Sequence, residues 1–464
     1  MFQDADKKNI DGAELHPTAS VIEGTVRHTV VDEVFGEITE EGPNYRALGW
    51  KGTVVLMLKT QIGLGILTIP QVFETIGLIP GVICVFVVAS MITWANYIVG
   101  VFKMRHPGVY GIEDVGRIFL GRFGYEFFGW LFAIYWVCTA SASFIGLSTC
   151  FNALSTHNIC TAIFVAVATV IGFVFGSIQT LGRISWIAWV GITSIVTSVL
   201  VLSVSVGVQD RPAAAPKTST PWKSDYVLFA SPSPAEAFAA VSTVVFAFAG
   251  TPAFFNIVSE MRDPRQYTRA VLICQSFMVT LYITIGCVVY YYCGSYVSSP
   301  ALGSAGEKMK KVCYGLALPG LCVGTAMFVH FTGKYLFLRF MRGSRHLTQN
   351  TPIHWGVWIS CTATSAIFAY IIASVIPVLS GLVALVGAFG GTLMSMQPMG
   401  FMWIYDNWAK KRTAMWMLSF SWVVFIIIGG TFLTIAGSYG AVVGIINDYK
   451  ATGGSAAWTC ADLS

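Results

Sequence analysis

The stretch Gln61–Pro70, QIGLGILTIP, interrupts what is otherwise a membrane-spanning run. It sets Gly63 and Gly65 close together, follows them with Pro70, and has Lys59 just upstream. A helix in hydrocarbon must satisfy its backbone amides and carbonyls internally, because no water is at hand to do so. Glycine lowers the cost of unwinding and proline removes a donor, so the pattern predicts a span broken into two half-helices. Such a break is tolerated at membrane depth only where the freed groups are buried in protein or line a cavity.

The rest of the chain supports a membrane setting. Of 464 residues, 55% are hydrophobic and only 11% charged, too apolar for a water-soluble chain of this length. The formal net charge of +5 is spread between apolar runs and not gathered on one soluble face, which argues against a nucleic-acid partner. Residues 1–45 carry ten acidic side chains and no apolar run, and read as a disordered cytosolic tail, not a cleaved signal peptide. The eleven cysteines show no CxxC spacing, so neither a metal site nor a dense disulfide framework is expected, and no cofactor motif is present.

Apolar stretches of about 20 residues span a bilayer. Eleven are found, near 52–76, 78–102, 125–153, 158–179, 184–208, 234–257, 269–294, 311–338, 353–375, 378–404 and 413–440. They define an all-α polytopic domain over 46–440, with residues 441–464 as an extracytosolic tail. With a cytosolic N-terminus, 17 Lys and Arg near the ends of spans fall inside and 7 outside, as the positive-inside rule requires. Lys59 lies deep in the first span, and His330 is the histidine placed well within one. Ionisable groups there are functional candidates by default. Lys334 and Arg339 read as side chains reaching back to the interface, and Glu260 and Asp263 as helix-end and turn residues, with a cytosolic ion pair to the Asp114/Arg117 region left open.

The sixth span repeats the feature of the first. Phe246–Pro252, FAFAGTP, again places glycine and proline at mid-membrane. Interrupted spans at matching places in two five-helix halves point to a transporter of inverted repeats with its substrate at the midplane. The alternative is that these glycines and prolines serve close packing or harmless kinks, which is common in membrane helices. Under the first reading, the half-helix start at Ile62–Ile66 offers amides and a positive dipole end to a carboxylate. The carbonyls of Phe246–Ala249 would take an ammonium, Thr60, Thr68 and Thr251 would offer hydroxyls, and Phe246, Phe248, Phe254 and Phe255 would wall an apolar pocket. No carboxylate lies in either break, which favours neutral amino acids.

Four segments, GWKGTVVLMLKTQIGLGILTIP (49–70), IEDVGRIFLGRFGYE (112–126), FAFAGTPAFFNIVSEMRDP (246–264) and KYLFLRFMRGSRHLTQNTPIHW (334–355), together resemble the amino acid/auxin permease family, and within it the fungal neutral amino acid permeases. The resemblance implies a leucine-transporter-type fold with 11 transmembrane helices in a 5+5 inverted repeat, broken in spans 1 and 6. It also implies secondary active amino acid uptake, usually proton-driven in fungi. Carried over by position, Thr60, Ile62, Gly63, Leu64 and Gly65 fall on the first substrate-binding break, and Phe246, Phe248, Ala249, Gly250 and Thr251 on the second. The proton-coupled branch typically has a glutamate near the place of Ala249, so that carrier is missing. In sodium-coupled relatives a cation sits between the first break and span 8, and Lys59 falls beside that place.

Lys59 is therefore expected to stand where that sodium would be and to release its proton when the inner gate opens. His330 is a second coupling candidate. Structural roles for both, a fixed cation and a packing histidine, remain open. Cys160 and Cys460 are both placed outside, where an oxidising exterior would permit them to pair. No HExxH, GxSxG or P-loop indicates an enzyme. The expected partners are a neutral amino acid, protons and lipid, with the chain acting as a monomer in the plasma membrane or, alternatively, the vacuolar membrane. A non-transporting nutrient receptor on this scaffold, or a carrier of another small metabolite, is the alternative.

Overall fold

The computed structural model describes residues 30–32, 36–38 and 48–451, apart from 180, 213, 217–221, 348, 350 and 377, together with Trp458 and Cys460. Strands β1 (Val30–Asp32) and β2 (Gly36–Ile38) pair as an antiparallel hairpin within the stretch read as a disordered tail. The remainder of residues 1–45 lies outside the described residues.

Among the described residues the other regular elements are helices, apart from an isolated bridge between Leu48 and Met261. In chain order the helices are α1 (Trp50–Gln61), α2 (Leu64–Ile76), α3 (Leu78–Arg105), α4 (Ile112–Ser155), α5 (Thr161–Gly176), α6 (Leu181–Val208), α7 (Pro234–Phe248), α8 (Thr251–Ser259), α9 (Tyr267–Cys293), α10 (Glu307–Met341) and α11 (Pro352–Val375). They continue with α12 (Leu379–Leu385), a π-helical segment over Val386–Gly391, α13 (Thr392–Ser395), α14 (Gln397–Asn407) and α15 (Ala414–Ala451). Among the described residues nine helical runs are long and apolar enough to cross a membrane, and the bent pair α1/α2 makes ten. The fourth of the expected eleven spans is α5, an apolar helix of 16 residues, only about 24 Å long at 1.5 Å per residue. The last helix runs on to Ala451, past the boundary at 440 read from hydropathy.

Burial sorts these helices into inner and outer layers. The apolar stretches of α4 and of α7/α8 are 83% buried inside the protein, whereas that of α15 is 17% buried and turns its side chains to lipid. Helix α10 packs against α4, α5, α6 and α11, while α2 packs against α7, α9 and α3. Local sequence sets the ends. Ser233 and Glu236 form a reciprocal capping box at the start of α7, and Thr351 caps α11, each followed by proline at the first helical position. Within α4 the chain kinks at Gly121, whose φ of 60° is one that glycine adopts without a Cβ clash.

One end of the bundle is rich in arginine and held by ion pairs. Asp114 meets Arg342 at 3.1 Å, Asp406 meets Arg105 at 2.9 Å, and Glu126 meets Arg339 at 2.5 Å, while His106 Nε2 lies within hydrogen-bond distance of Asp406, at 2.9 Å. Lys334 does not reach back to the interface as its position suggested. Its ammonium pairs with the Glu260 carboxylate, and both side chains are 2% exposed. A lysine facing a neighbouring helix instead of lipid can bury its whole length once a carboxylate awaits it. Tyr110 Oη also donates to Glu260, at 3.4 Å. The segment that enters α1 is fastened to the same place: Leu48 N–H donates to Glu260 O, Arg262 N–H donates to Leu48 O, and the Arg269 guanidinium lies 4.6 Å over the Trp50 ring.

Removing one member of a buried ion pair strands the other. Lys334→Met is expected to destabilise the protein by about 3–5 kcal/mol, and adding Glu260→Gln to recover part of that. Thermal unfolding of the purified variants checks both.

Candidate substrate site

Helix α1 stops at Gln61 because Ile62 turns extended, with φ −77° and ψ 114°, and α2 starts afresh at Leu64 at an angle of 47°. Pro70 is not the breaker. It sits inside α2, which runs through it, and the break belongs to Ile62 and Gly63. No side chain caps α2, so the amides from Gly63 to Ile66 have no partner within the helix. Lys59 is fully buried, and its Nζ donates to the Ile62 carbonyl at 2.9 Å. It lies against α10, since a Cβ added to Gly324 would come 3.0 Å from Nζ, and it forms no ion pair among the described residues. The lysine therefore anchors the carbonyl side of the turn whose amide side is free.

The second break is gentler. Helix α7 ends at Phe248, Ala249 leaves helical geometry with φ −79° and ψ 45°, and α8 restarts at Thr251 with Pro252 in its first turn. There the missing proline N–H costs nothing. The two breaks touch at two points where only glycine allows the approach. A Cβ on Gly65 would come 2.8 Å from the Ala247 Cα, and one on Gly250 would come 2.4 Å from Thr60 Oγ1.

The carbonyls expected to wait for an ammonium are all engaged. Phe246 O accepts from Ala249 N–H at 3.1 Å, and Phe248 O accepts from Gly250 N–H at 2.8 Å. Ala247 O accepts from Tyr282 Oη on α9 at 2.8 Å, and the same phenol lies 2.9 Å from Gln61 O, bridging the two breaks. Ala249 O accepts from Tyr135 Oη on α4 at 2.5 Å. Exposed carbonyls inside a membrane protein are too costly to leave open, so phenols from neighbouring helices cover them.

A cavity opens beside the first break. It is lined by Thr60 to Gly65, by Tyr135, Trp136 and Thr139 of α4, by Phe246, and by Phe328 of α10. It has room for about one water, so a larger guest requires the aromatic walls to part. Of the residues picked from sequence, Thr60, Ile62, Gly63, Leu64, Gly65 and Phe246 meet here. The others lie behind them. Phe248 packs on the Tyr282 ring at 5.0 Å, Ala249 sits under Tyr135, Gly250 backs onto Thr60, and Thr251, Phe254 and Phe255 are fully buried outside the lining. Phe246 and Phe248 lie two positions apart at the end of α7, so they point to different sides, and Phe254 and Phe255 belong to α8, so of the four only Phe246 walls the cavity. A wider recess lies between α2, α7, α12 and α15, but none of its lining residues belongs to either break, and Glu236 and Asp448 set carboxylates on its wall.

His330 is buried against Phe331 and Trp358 and faces the backbone at the carbonyl end of α5, near Gly176 and Ile178. It does not line the cavity. Cys160, the residue preceding α5, is joined to Cys460 by a disulfide, with Cα atoms 4.5 Å apart. Sequence reasoning missed Tyr135, Trp136, Thr139, Phe328 and Tyr282. It also missed the π-helical segment, whose glycines are the one available signal: a Cβ on Gly390 would meet the Tyr135 ring at 2.4 Å, and one on Gly387 the Ser242 carbonyl at 2.1 Å. Helical irregularities of this kind are frequent at functional sites.

Residues 46–443 match the family described as transmembrane amino acid transporter protein. The chain belongs to that family. A transmembrane transporter of Gibberella moniliformis is 31% identical over 433 residues, covering 93% of this chain and 91% of its own. The N amino acid transport system protein of Neurospora crassa is 27% identical, covering 92% and 91%. Among solved structures, a sodium-coupled sialic acid symporter in a substrate-bound, outward-open state aligns with a TM-score of 0.55 at 10% identity, over 86% of this chain and 92% of its own. MhsT in complex with L-phenylalanine aligns at 0.52 and 11%, over 86% and 97%. At such identities the likeness is one of fold, and the fold is the leucine-transporter type. The protein is a multi-pass membrane member of an amino acid transporter family.

Close contact between the breaks is testable in this transporter. Gly250→Ala forces its new Cβ into Thr60 Oγ1, an overpacking of about 1–3 kcal/mol, and is expected to lower amino acid uptake about tenfold. Adding Thr60→Ala removes the clashing oxygen and should recover part of the loss. Radiolabelled uptake normalised to surface expression measures both.

Proposed function

We propose that this protein takes up neutral amino acids, with a preference for apolar or aromatic side chains, by proton-driven alternating access. The observation that carries the reading is that the uncapped start of α2 faces a cavity lined by no ionisable carboxylate or basic side chain. The substrate carboxylate is held by the amides of Gly63, Leu64 and Gly65 at the positive end of the α2 dipole. Its ammonium goes to the carbonyl end of α7 and to the hydroxyls of Thr60 and Thr139. Trp136, Phe246 and Phe328 enclose its side chain. A cationic side chain would find no counter-charge there, and a second carboxylate no second set of free amides.

Lys59 is the coupling group in this reading. Protonated, it braces the Ile62 carbonyl and so fixes the turn that presents the carboxylate-binding amides. Deprotonated, it loses its charge and a donor, and the turn loosens. Proton state and substrate affinity are thereby linked across the turn from Lys59 to Gly65. The chain works as a monomer in the plasma membrane, with its N-terminus and arginine-rich face in the cytosol, where the positive-inside rule puts them.

Proteoliposomes decide the matter. A panel of radiolabelled amino acids under imposed proton or sodium gradients is expected to show neutral amino acids concentrated by an inward proton gradient and not by sodium. Lys59→Ala is expected to abolish accumulation above equilibrium. Equilibration without accumulation in the wild type, or accumulation by sodium alone, would overturn the coupling. Binding without any flux would identify a receptor instead.

A further inference from the structure

Tyr135 reaches across the cavity from α4 and donates its hydroxyl to the Ala249 carbonyl at 2.5 Å. Its neighbour in function, Tyr282, covers the Ala247 carbonyl from behind and has no face on the cavity. Tyr135 differs in that it both lines the cavity and occupies an acceptor at the carbonyl end of α7. Its ring is seated by Gly390 of the π-helical segment, where any Cβ would strike it at 2.4 Å.

A carrier that concentrates substrate has to return empty after each delivery. During the return the site closes with nothing in it, and a buried carbonyl without a donor is then costly. When an amino acid is bound its ammonium supplies the donor. We propose that the Tyr135 hydroxyl is the built-in substitute for the substrate ammonium: it occupies Ala249 O while the site is empty and yields that acceptor when substrate arrives. The proposal rests on the reading of the cavity as the amino acid site and adds to it a residue dedicated to the empty half of the cycle. It also explains selection for the amine. A ligand without an ammonium displaces the phenol and leaves Ala249 O bare, so the site rejects it.

Two fluxes separate this role from a structural one. Exchange of external for internal amino acid uses only loaded carriers, whereas net uptake into vesicles containing none requires the empty return. Proteoliposomes holding wild type or Tyr135→Phe are assayed with radiolabelled L-phenylalanine, once empty and once preloaded with unlabelled L-phenylalanine. The ratio of net uptake to exchange is expected to fall about tenfold in Tyr135→Phe, the value of one hydrogen bond lost from the empty closed state alone. Gly390→Ala keeps the hydroxyl but pushes the ring aside, and is expected to lower the same ratio; it decides the question if Tyr135→Phe does not fold. An unchanged ratio in the variants, with both fluxes present in the wild type, overturns the role of Tyr135 alone. Absence of any L-phenylalanine flux in the wild type overturns the transport reading and this proposal together.

Discussion

Every part of this structure answers one constraint: backbone groups freed at mid-membrane have to find partners inside the protein. Two spans are interrupted, and the freed groups are divided unequally. At the first break the carbonyl of Ile62 is taken by Lys59 while the following amides stay open. At the second break all the carbonyls are taken, two by nearby amides and two by the phenols of Tyr135 and Tyr282. The result is a cavity with donors on one wall and covered acceptors on the other. Under the proposed reading that asymmetry suits a zwitterion, and the acceptor side opens only if the Tyr135 hydroxyl leaves Ala249 O.

The helices around the breaks are arranged to permit this. Small residues bring the two breaks into contact, Gly65 against Ala247 and Gly250 against Thr60. The π-helical segment presents Gly387 to α7 and Gly390 to the Tyr135 ring. Close approach of backbones through small residues is the usual means by which membrane helices pack, since lipid gives apolar side chains no incentive to leave it. At the arginine-rich end, charges do the corresponding work. Glu260 at the end of α8 is fastened to Lys334, to Tyr110 and, through its carbonyl, to Leu48, so the end of one broken span is tied to the segment that begins the other.

The fold and the two breaks were legible in the sequence because hydropathy and glycine act locally. Gly63 and Gly250 mark their breaks within a few residues, and the Lys/Arg distribution needs no tertiary contact to be counted. Pro70 marks no break, because it lies seven residues beyond Gly63, inside α2, which runs through it. The covering phenols were illegible for the opposite reason. Tyr135 lies 114 positions from the carbonyl it serves and Tyr282 lies 35 from its own, and both sit in spans where aromatic residues are common. Lys334 was misplaced for a like cause: its partner Glu260 lies 74 positions away, and without it the lysine looks like any other at a membrane edge. His330, picked for its chemistry alone, proves to be set among aromatic rings and away from the cavity.

The disulfide from Cys160 to Cys460 closes the chain from α5 to the end of α15 into a covalent ring. The α7/α8 break lies on that ring, whereas the α1/α2 break lies on the open arm that precedes it. The two halves of the site thus differ in tethering as well as in chemistry. The donor-bearing half hangs on a free strand of chain, and the acceptor-bearing half belongs to a hoop that a single backbone cut cannot separate into two pieces.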